Sequence, residues 1–400
     1  MINRQMLGVF ALVLALLAVV VGSVAYFFLS VRHPEGTVQA SPTPGQPANG
    51  CRGGITKNSD GSYSFSWLHV SADGKIVDEK GCVVPLVGFN MGGLFLADAS
   101  GGTKLANIAW YKQRFPMNIV RVNFNSLWWV NDVYVPKANM HFRQWLQQYV
   151  KWQEQLGNYV ELDKGPHFPE PPCGGTITYC PTQDQGIKDY TANPNPETQR
   201  ELEPYISYDV QAWTDIAKIY ANDPAVIYDA WNEPILHKQM AAYFQDMNTL
   251  INTIRAQNPR ALIIVYDFGW KYIMSGQFPE YQQSNLVIDS HIYDNFKGIS
   301  PATGKSCQEP GHPNWTPSSS GFDQEVTFAH AHGQAVIVNE WGGCYPSAAY
   351  NQQLVSFAKT QDVGLVYFQS GDVVNKANGT NEINNNGQMV QADYASILRA

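Results

Sequence analysis

Residues 225–233 read AVIYDAWNE and residues 335–340 read AVIVNE. Each is a short β-branched run that closes on a carboxylate. A run this short and this apolar is a strand buried on both faces, the kind found in a parallel sheet covered by helices. Working outward, the same pattern recurs near residues 84–90, 118–123, 158–162, 226–232, 262–267, 286–291, 335–340 and 364–368. Between these runs the apolar residues change to helical spacing. Phe142, Trp145, Leu146 and Tyr149 form one such stripe, Ile206, Val210, Trp213 and Ala217 a second, and Met240, Tyr243, Phe244, Met247, Ile251 and Ile254 a third. Strands alternating with amphipathic crossover helices predict an α/β fold, and eight strands are the number that closes a (β/α)8 TIM barrel.

The barrel accounts for residues 51–400. Its chemistry is expected at the C-terminal ends of the strands. A long insertion after the third strand, residues 163–199, carries Cys173 and Cys180, expected to pair. Residues 62–82 read as a β-hairpin turning at Asp73 and Gly74, a small N-terminal cap on the bottom of the barrel. All six cysteines follow residue 50, and no zinc-type spacing joins them, so no metal site is expected. Upstream, residues 31–50 are a Pro-rich linker, and residues 1–30 contain an uncharged segment from 7 to 29. As a helix that segment reaches roughly 34 Å, enough for a bilayer core. The expectation is a single-pass anchor in the cell membrane with the barrel outside the cytoplasm. The alternative is secretion after signal cleavage near Ser23, Val24 and Ala25.

The chain has 34 Asp plus Glu against 26 Lys plus Arg, a net charge of −8, and no basic stripe, which argues against nucleic acid as a partner. Its 11 Trp, 21 Tyr and 18 Phe suit either a large core or the faces of sugar rings.

Glu233 and Glu340 end the fourth and seventh strands, which face each other across the barrel mouth. Paired carboxylates flanking a cleft point to glycoside hydrolysis. At a separation of about 5.5 Å and an effective dielectric of 20, their repulsion is about 3 kcal/mol, or roughly two pKa units. One is therefore expected to stay protonated as the acid, while the other stays ionised as the nucleophile. Arg121, His291 and Tyr293, at the ends of strands two and six, are the candidate groups for holding that charge. Asn232 is the candidate contact to the sugar hydroxyl beside the reacting carbon. Trp128, Trp129, Trp270, Trp315 and Trp341 are candidate sugar-stacking rings, Trp341 foremost because it adjoins Glu340.

These motifs resemble family 5 of the glycoside hydrolases, the cellulase family. The carriers are SWLHVSADGKIVDEKGCVVPLVGFN at 66–90, VRVNFN at 120–125, WNEP at 231–234, HIY at 291–293 and NEWGG at 339–343. The resemblance implies Glu233 as general acid and base, Glu340 as nucleophile, Asn232 as the 2-hydroxyl contact, and Arg121, His291 and Tyr293 around them. It implies a retaining β-glycosidase on β-1,4-glucan or β-mannan, acting as a monomer without cofactor. Two positions depart from the family pattern. Gly165 stands where a His usually ends strand three, with His167 nearby, and Phe368 is the ring nearest the usual strand-eight Trp. These departures keep a second reading open, a non-catalytic carbohydrate-binding surface protein on a degenerate barrel.

Overall fold

The computed structural model describes residues 51–91, 104–132, 134–135, 138–165, 206–233, 240–267, 281–293, 315–342, 348–368, 370–377 and 380–399. The uncharged segment 7–29, the linker 31–50, most of the strand-three insertion with Cys173 and Cys180, His167 and Trp270 lie outside the described residues. No helix among the described residues is long and apolar enough to cross a membrane.

Two short antiparallel hairpins come first, β1 (Ile55–Lys57) with β2 (Tyr63–Phe65) and β3 (His69–Val70) with β4 (Ile76–Val77). The second turns at Asp73 and Gly74 as expected. Gly74 has φ +78°, and a Cβ there would meet the backbone of His330 and the carbonyl of Gln334, so only glycine fits this close approach. The hairpins plug the N-terminal end of the barrel. The Val70 amide donates to Asn285 Oδ1 (2.9 Å), Lys75 pairs with Asp362 (2.8 Å), and the Tyr159 hydroxyl donates to the carbonyls of Gly54 (2.8 Å) and Ser66 (2.9 Å). A Cys51–Cys82 disulfide ties the start of the cap to its end across 31 residues. By closure entropy this bridge stabilises by about 3.5 kcal/mol. Cys82→Ser is therefore expected to lower the urea midpoint to that of the reduced native chain, whereas a midpoint unmoved by reductant would show that the cap is held by packing alone.

The barrel strands follow in parallel: β5 (Val87–Asn90), β6 (Ile119–Phe124), β9 (Tyr159–Lys164), β10 (Val226–Asp229), β11 (Ile263–Tyr266), β12 (Leu286–Tyr293), β13 (Ala335–Gly342) and β14 (Gly364–Phe368), closed by pairing of β14 with β5. A small hairpin, β7 (Tyr134–Val135) with β8 (Met140–His141), lies between β6 and β9. The first helices are α1 (Leu105–Arg114) and α2 (Ser126–Asn131), and the three helical stripes form α3 (Phe142–Gln155), α4 (Ile206–Ile219) and α5 (Met240–Gln257). Later come Pro317–Ser320 (α6), Phe322–Ala331 (α7), Ala348–Gln361 (α8) and Asn385–Arg399 (α9). Strand three is longer than its apolar run. Asp163 and Lys164, read from sequence as the start of the insertion, belong to β9, because Asp163 is buried against Arg121 and Lys164 against Asp209.

The apolar core divides in two. Outward-facing strand residues such as Val120, Val122, Tyr228 and Val338 pack with the helices. Inside the barrel, Leu86, Ile119, Ile227, Ile264, Val287, Ile337 and Val366 form a lower apolar layer above the cap. Above that layer the interior becomes polar: Asn90, Arg121, Glu161, Asp229, Asp289 and Asn339 are all buried there.

Candidate active site

Arg121 organises the polar layer. Two residues beyond the inward-facing Ile119, it points into the barrel by strand alternation. Its Nε donates to Glu161 Oε1 (3.0 Å), its Nη2 to Asp229 Oδ2 (2.9 Å) and Asn232 Oδ1 (2.7 Å), and its Nη1 to Asn90 Oδ1 (3.0 Å) and Glu340 Oε1 (2.8 Å), while Nη2 also stands in an ion pair 3.1 Å from Asp163 Oδ2. Burial disfavours the charged guanidinium, but Asp163, Asp229, Glu340 and Asp289 outweigh it and raise its pKa further. The converse holds for its partners. Burial lifts Glu161, Asp163 and Asp229 above the usual carboxylate range, against the pull of Arg121, because one cation faces several acids.

Glu340 receives Arg121 on Oε1 and the Tyr293 hydroxyl on Oε2. It reaches the interior through a β-bulge. Against β12, Ser290 pairs with Val338 and His291 with Glu340, which passes over Asn339. Against β14, Leu365 pairs with Val338 and Tyr367 with Trp341. The extra residue on β13 turns both Asn339 and Glu340 inward. Glu233 follows β10 with φ +41°, a backbone strain of the kind met at functional sites. His291 Nδ1 lies 2.7 Å from Glu233 Oε1 and 3.6 Å from Glu340 Oε2, while Nε2 is 3.1 Å from Asp289 Oδ2. The edge of the imidazole packs on Tyr266.

Burial works against a charged His291, but Glu340, Asp289 and Glu233 raise its pKa well above the ordinary value, so both ring nitrogens donate. Burial also raises Glu233, yet the His291 hydrogen bond and charge bring that carboxyl below its usual range. Burial lifts Glu340 above its usual range, with the Glu233 charge adding to it and His291, Arg121 and Tyr293 opposing. The two carboxyls are thus pushed in opposite directions, Glu233 down and Glu340 up, because His291 stands closer to Glu233.

The structure brings Glu233, Glu340, Arg121, Asn232, His291 and Tyr293 together at one mouth, with Phe368 edge-on to Tyr293 at 6.3 Å. The tryptophans are corrected. Trp341 is fully buried outside the barrel, 5.0 Å from Tyr367 and edge-on to Tyr394, since a strand turns neighbours to opposite faces and Glu340 takes the inner one. Trp128 packs on Phe142, and Trp129 is buried under the Arg143 guanidinium with Nε1 toward Asp215. Trp315 packs on Tyr350. None of these four presents a face for a sugar. Sequence reasoning missed Asn90, Glu161, Asp163, Asp229, Asp289 and Asn339. A signal existed in the period-two spacing of Glu161 with Asp163 and of Asp289 with His291.

Glu233, His291 and Glu340 offer donor atoms within 4.8 Å of one another, a grouping that could hold a cation. The guanidinium of Arg121 already supplies positive charge to Glu340 there.

A closed parallel barrel with two facing glutamates at its C-terminal mouth defines a (β/α)8-barrel hydrolase of glycosides. The chain belongs to the cellulase family, glycosyl hydrolase family 5, whose model matches residues 77–373. A search of curated proteins finds no match. Among solved structures, a β-glucanase from Saccharophagus degradans shares 17% identity over 84% of this chain and 94% of its own, with a TM-score of 0.56. The catalytic domain of endoglucanase Cel5A from Thermobifida fusca shares 15% over 82% of this chain and 97% of its own, with a TM-score of 0.53. Endo-glycoceramidase II from Rhodococcus sp., captured as a lactosyl-enzyme intermediate, shares 15% over 76% of this chain and 75% of its own, with a TM-score of 0.51.

Proposed function

We propose that the chain is a retaining β-glycosidase acting on a neutral β-linked polysaccharide or its oligomers, β-1,4-glucan or β-mannan. The observation that carries this reading is the placement of Glu233 and Glu340 with carboxylate oxygens within 4.8 Å of one another, each with its own partners. That spacing suits the roughly 5 to 5.5 Å of retaining enzymes and not the wider gap that inverting enzymes keep for a water. Glu340 attacks the anomeric carbon and forms a glycosyl ester as the leaving oxygen takes a proton from Glu233. Glu233 then removes a proton from water, whose oxygen displaces Glu340 and restores the starting configuration. Asn232, with Oδ1 engaged by Arg121, keeps its Nδ2 to donate to the 2-hydroxyl oxygen and so orients that hydroxyl, whose own proton becomes the stronger donor toward Glu340 as positive charge develops beside it. The covalent intermediate of the Rhodococcus enzyme supports the same route on this fold.

His291 supplies the acid. Its Nδ1 proton faces Glu233 at 2.7 Å, so transfer along that hydrogen bond gives protonated Glu233 and neutral His291 without changing the proton count. Two limbs of a bell-shaped pH profile follow. The acid limb reports loss of the Glu340 proton and should lie above the ordinary carboxylate value. The alkaline limb reports loss of the proton shared by Glu233 and His291 and should lie above the ordinary imidazole value. Initial rates from pH 3 to 9 test this, and a flat profile contradicts it.

The Cys51–Cys82 bridge supports action outside the cytoplasm, anchored by the N-terminal segment or secreted. The deciding experiment incubates the full chain with β-glucan, β-mannan and xylan and follows the first-formed anomer by NMR. Release of the β-anomer is expected. An α-anomer overturns the mechanism, and no release from any substrate favours a binding protein.

A further inference from the structure

We propose that Asn90 is a positioning residue for the nucleophile, locking through one side-chain amide both the β13 bulge that aims Glu340 and the guanidinium that holds it. The proposal rests on the reading of Glu340 as nucleophile.

Glu340 faces the cleft only because the bulge places two successive residues inward. Ile337 belongs to the lower interior layer, so unbroken alternation would turn Asn339 inward and Glu340 out toward the helices. Asn339 is the residue passed over in the pairing with β12, and it is fully buried. Its Nδ2 donates to Glu161 Oε1 (2.7 Å), which fixes its side chain. Its backbone is fixed from elsewhere. Asn90, at the end of β5, reaches past the intervening β14, and its Nδ2 donates to the Asn339 carbonyl (2.7 Å). The other end of the same amide, Oδ1, accepts from Arg121 Nη1 (3.0 Å), the nitrogen that also donates to Glu340 Oε1 (2.8 Å). One buried side chain thus touches the bulge backbone directly before Glu340 and the cation on its carboxylate.

The chemistry of the position is specific. It needs one donor and one acceptor at fixed separation, which a primary amide supplies. An ionised aspartate keeps the acceptor for Arg121 and loses the donor to Asn339. Alanine loses both and leaves a buried carbonyl without this partner.

The test uses the full chain carrying Asn90→Ala or the near-isosteric Asn90→Asp, assayed with an aryl β-glycoside of the sugar that the unmutated chain hydrolyses. Misplacement of a reacting group by about 1 Å costs on the order of 100-fold. The expected result is a fall in kcat of about that size in both variants with KM within about threefold, and equally slow trapping of Glu340 by the matching 2-deoxy-2-fluoro glycoside. A crystal structure of each variant should show Glu340 displaced and the bulge register altered. Asn90→Asp retains volume and carries the test if the alanine variant does not fold. A kcat within about threefold of the parent, or an unmoved Glu340 in the variant structure, overturns the proposal. The structural readout also separates the two ideas. If the unmutated chain hydrolyses no glycoside, the catalytic reading fails, while the displacement of Glu340 still decides whether Asn90 sets its direction.

Discussion

Glu340→Gly is expected to lower kcat on every hydrolysed glycoside by on the order of 10⁵-fold, since removing a nucleophile leaves only binding and electrostatic assistance. Sodium azide should restore turnover by entering the space vacated on that face, and the product should be the α-glycosyl azide, formed by one inversion. Glu233→Ala should behave differently. An aryl glycoside whose phenol leaves without protonation should still load Glu340, so that glycosylation is little impaired and turnover stalls at the ester. Azide then attacks that ester and gives the β-glycosyl azide by a second inversion. The configurations of the two azides assign the two roles independently of the size of either rate loss. A β-azide from Glu340→Gly, or an α-azide from Glu233→Ala, would reverse the assignment. Glu233→Gly adds a reading of backbone strain. At φ +41° a glycine relieves what alanine retains, so the glycine variant should be the more stable by about 1 kcal/mol.

The barrel was legible because each strand is an apolar run with a polar end, and eight such runs admit few closed arrangements. Glu233 and Glu340 were legible because a carboxylate directly after a buried run demands a reason. What sequence could not show is whatever depends on the facing of neighbouring residues. Trp341 adjoins Glu340 in the chain, yet pleating turns it into the helix layer, and the bulge at Asn339 is visible only in the register of β13 with β12 and β14. Asp163 and Lys164 looked like the start of a loop because their partners, Arg121 and Asp209, lie on other elements. The Cys51–Cys82 bridge depends likewise on how the cap folds, which cysteine spacing does not reveal. The acids below the mouth are the largest omission. Each is unremarkable alone, and only closure of the barrel gathers them around one guanidinium.

That gathering makes Arg121→Met the variant with the largest expected loss of stability. Taking one partner from a buried ionic network costs about 3 to 5 kcal/mol, and here one residue serves Glu161, Asp163, Asp229 and Glu340 at 3.1 Å or less. The penalty should depend on pH with a definite sign. Glu161, Asp163 and Asp229 already have folded values above their ordinary ones, so their contribution is fully present below the ordinary carboxylate range and is lost as pH rises through the raised folded values. Arg121 is what opposes this rise, and without it the folded values climb further. Near pH 4 the acids are largely neutral in the folded protein, and the variant loses mainly hydrogen bonds. Toward pH 8 it must either bury uncompensated charge or hold protons that the unfolded chain has released. Urea denaturation of both proteins from pH 4 to 8 should therefore show their difference in stability widening with pH. A constant difference, or one that narrows, would mean that the acids share their protons without Arg121. The layer beneath the mouth would then be a hydrogen-bonded network of neutral carboxyls.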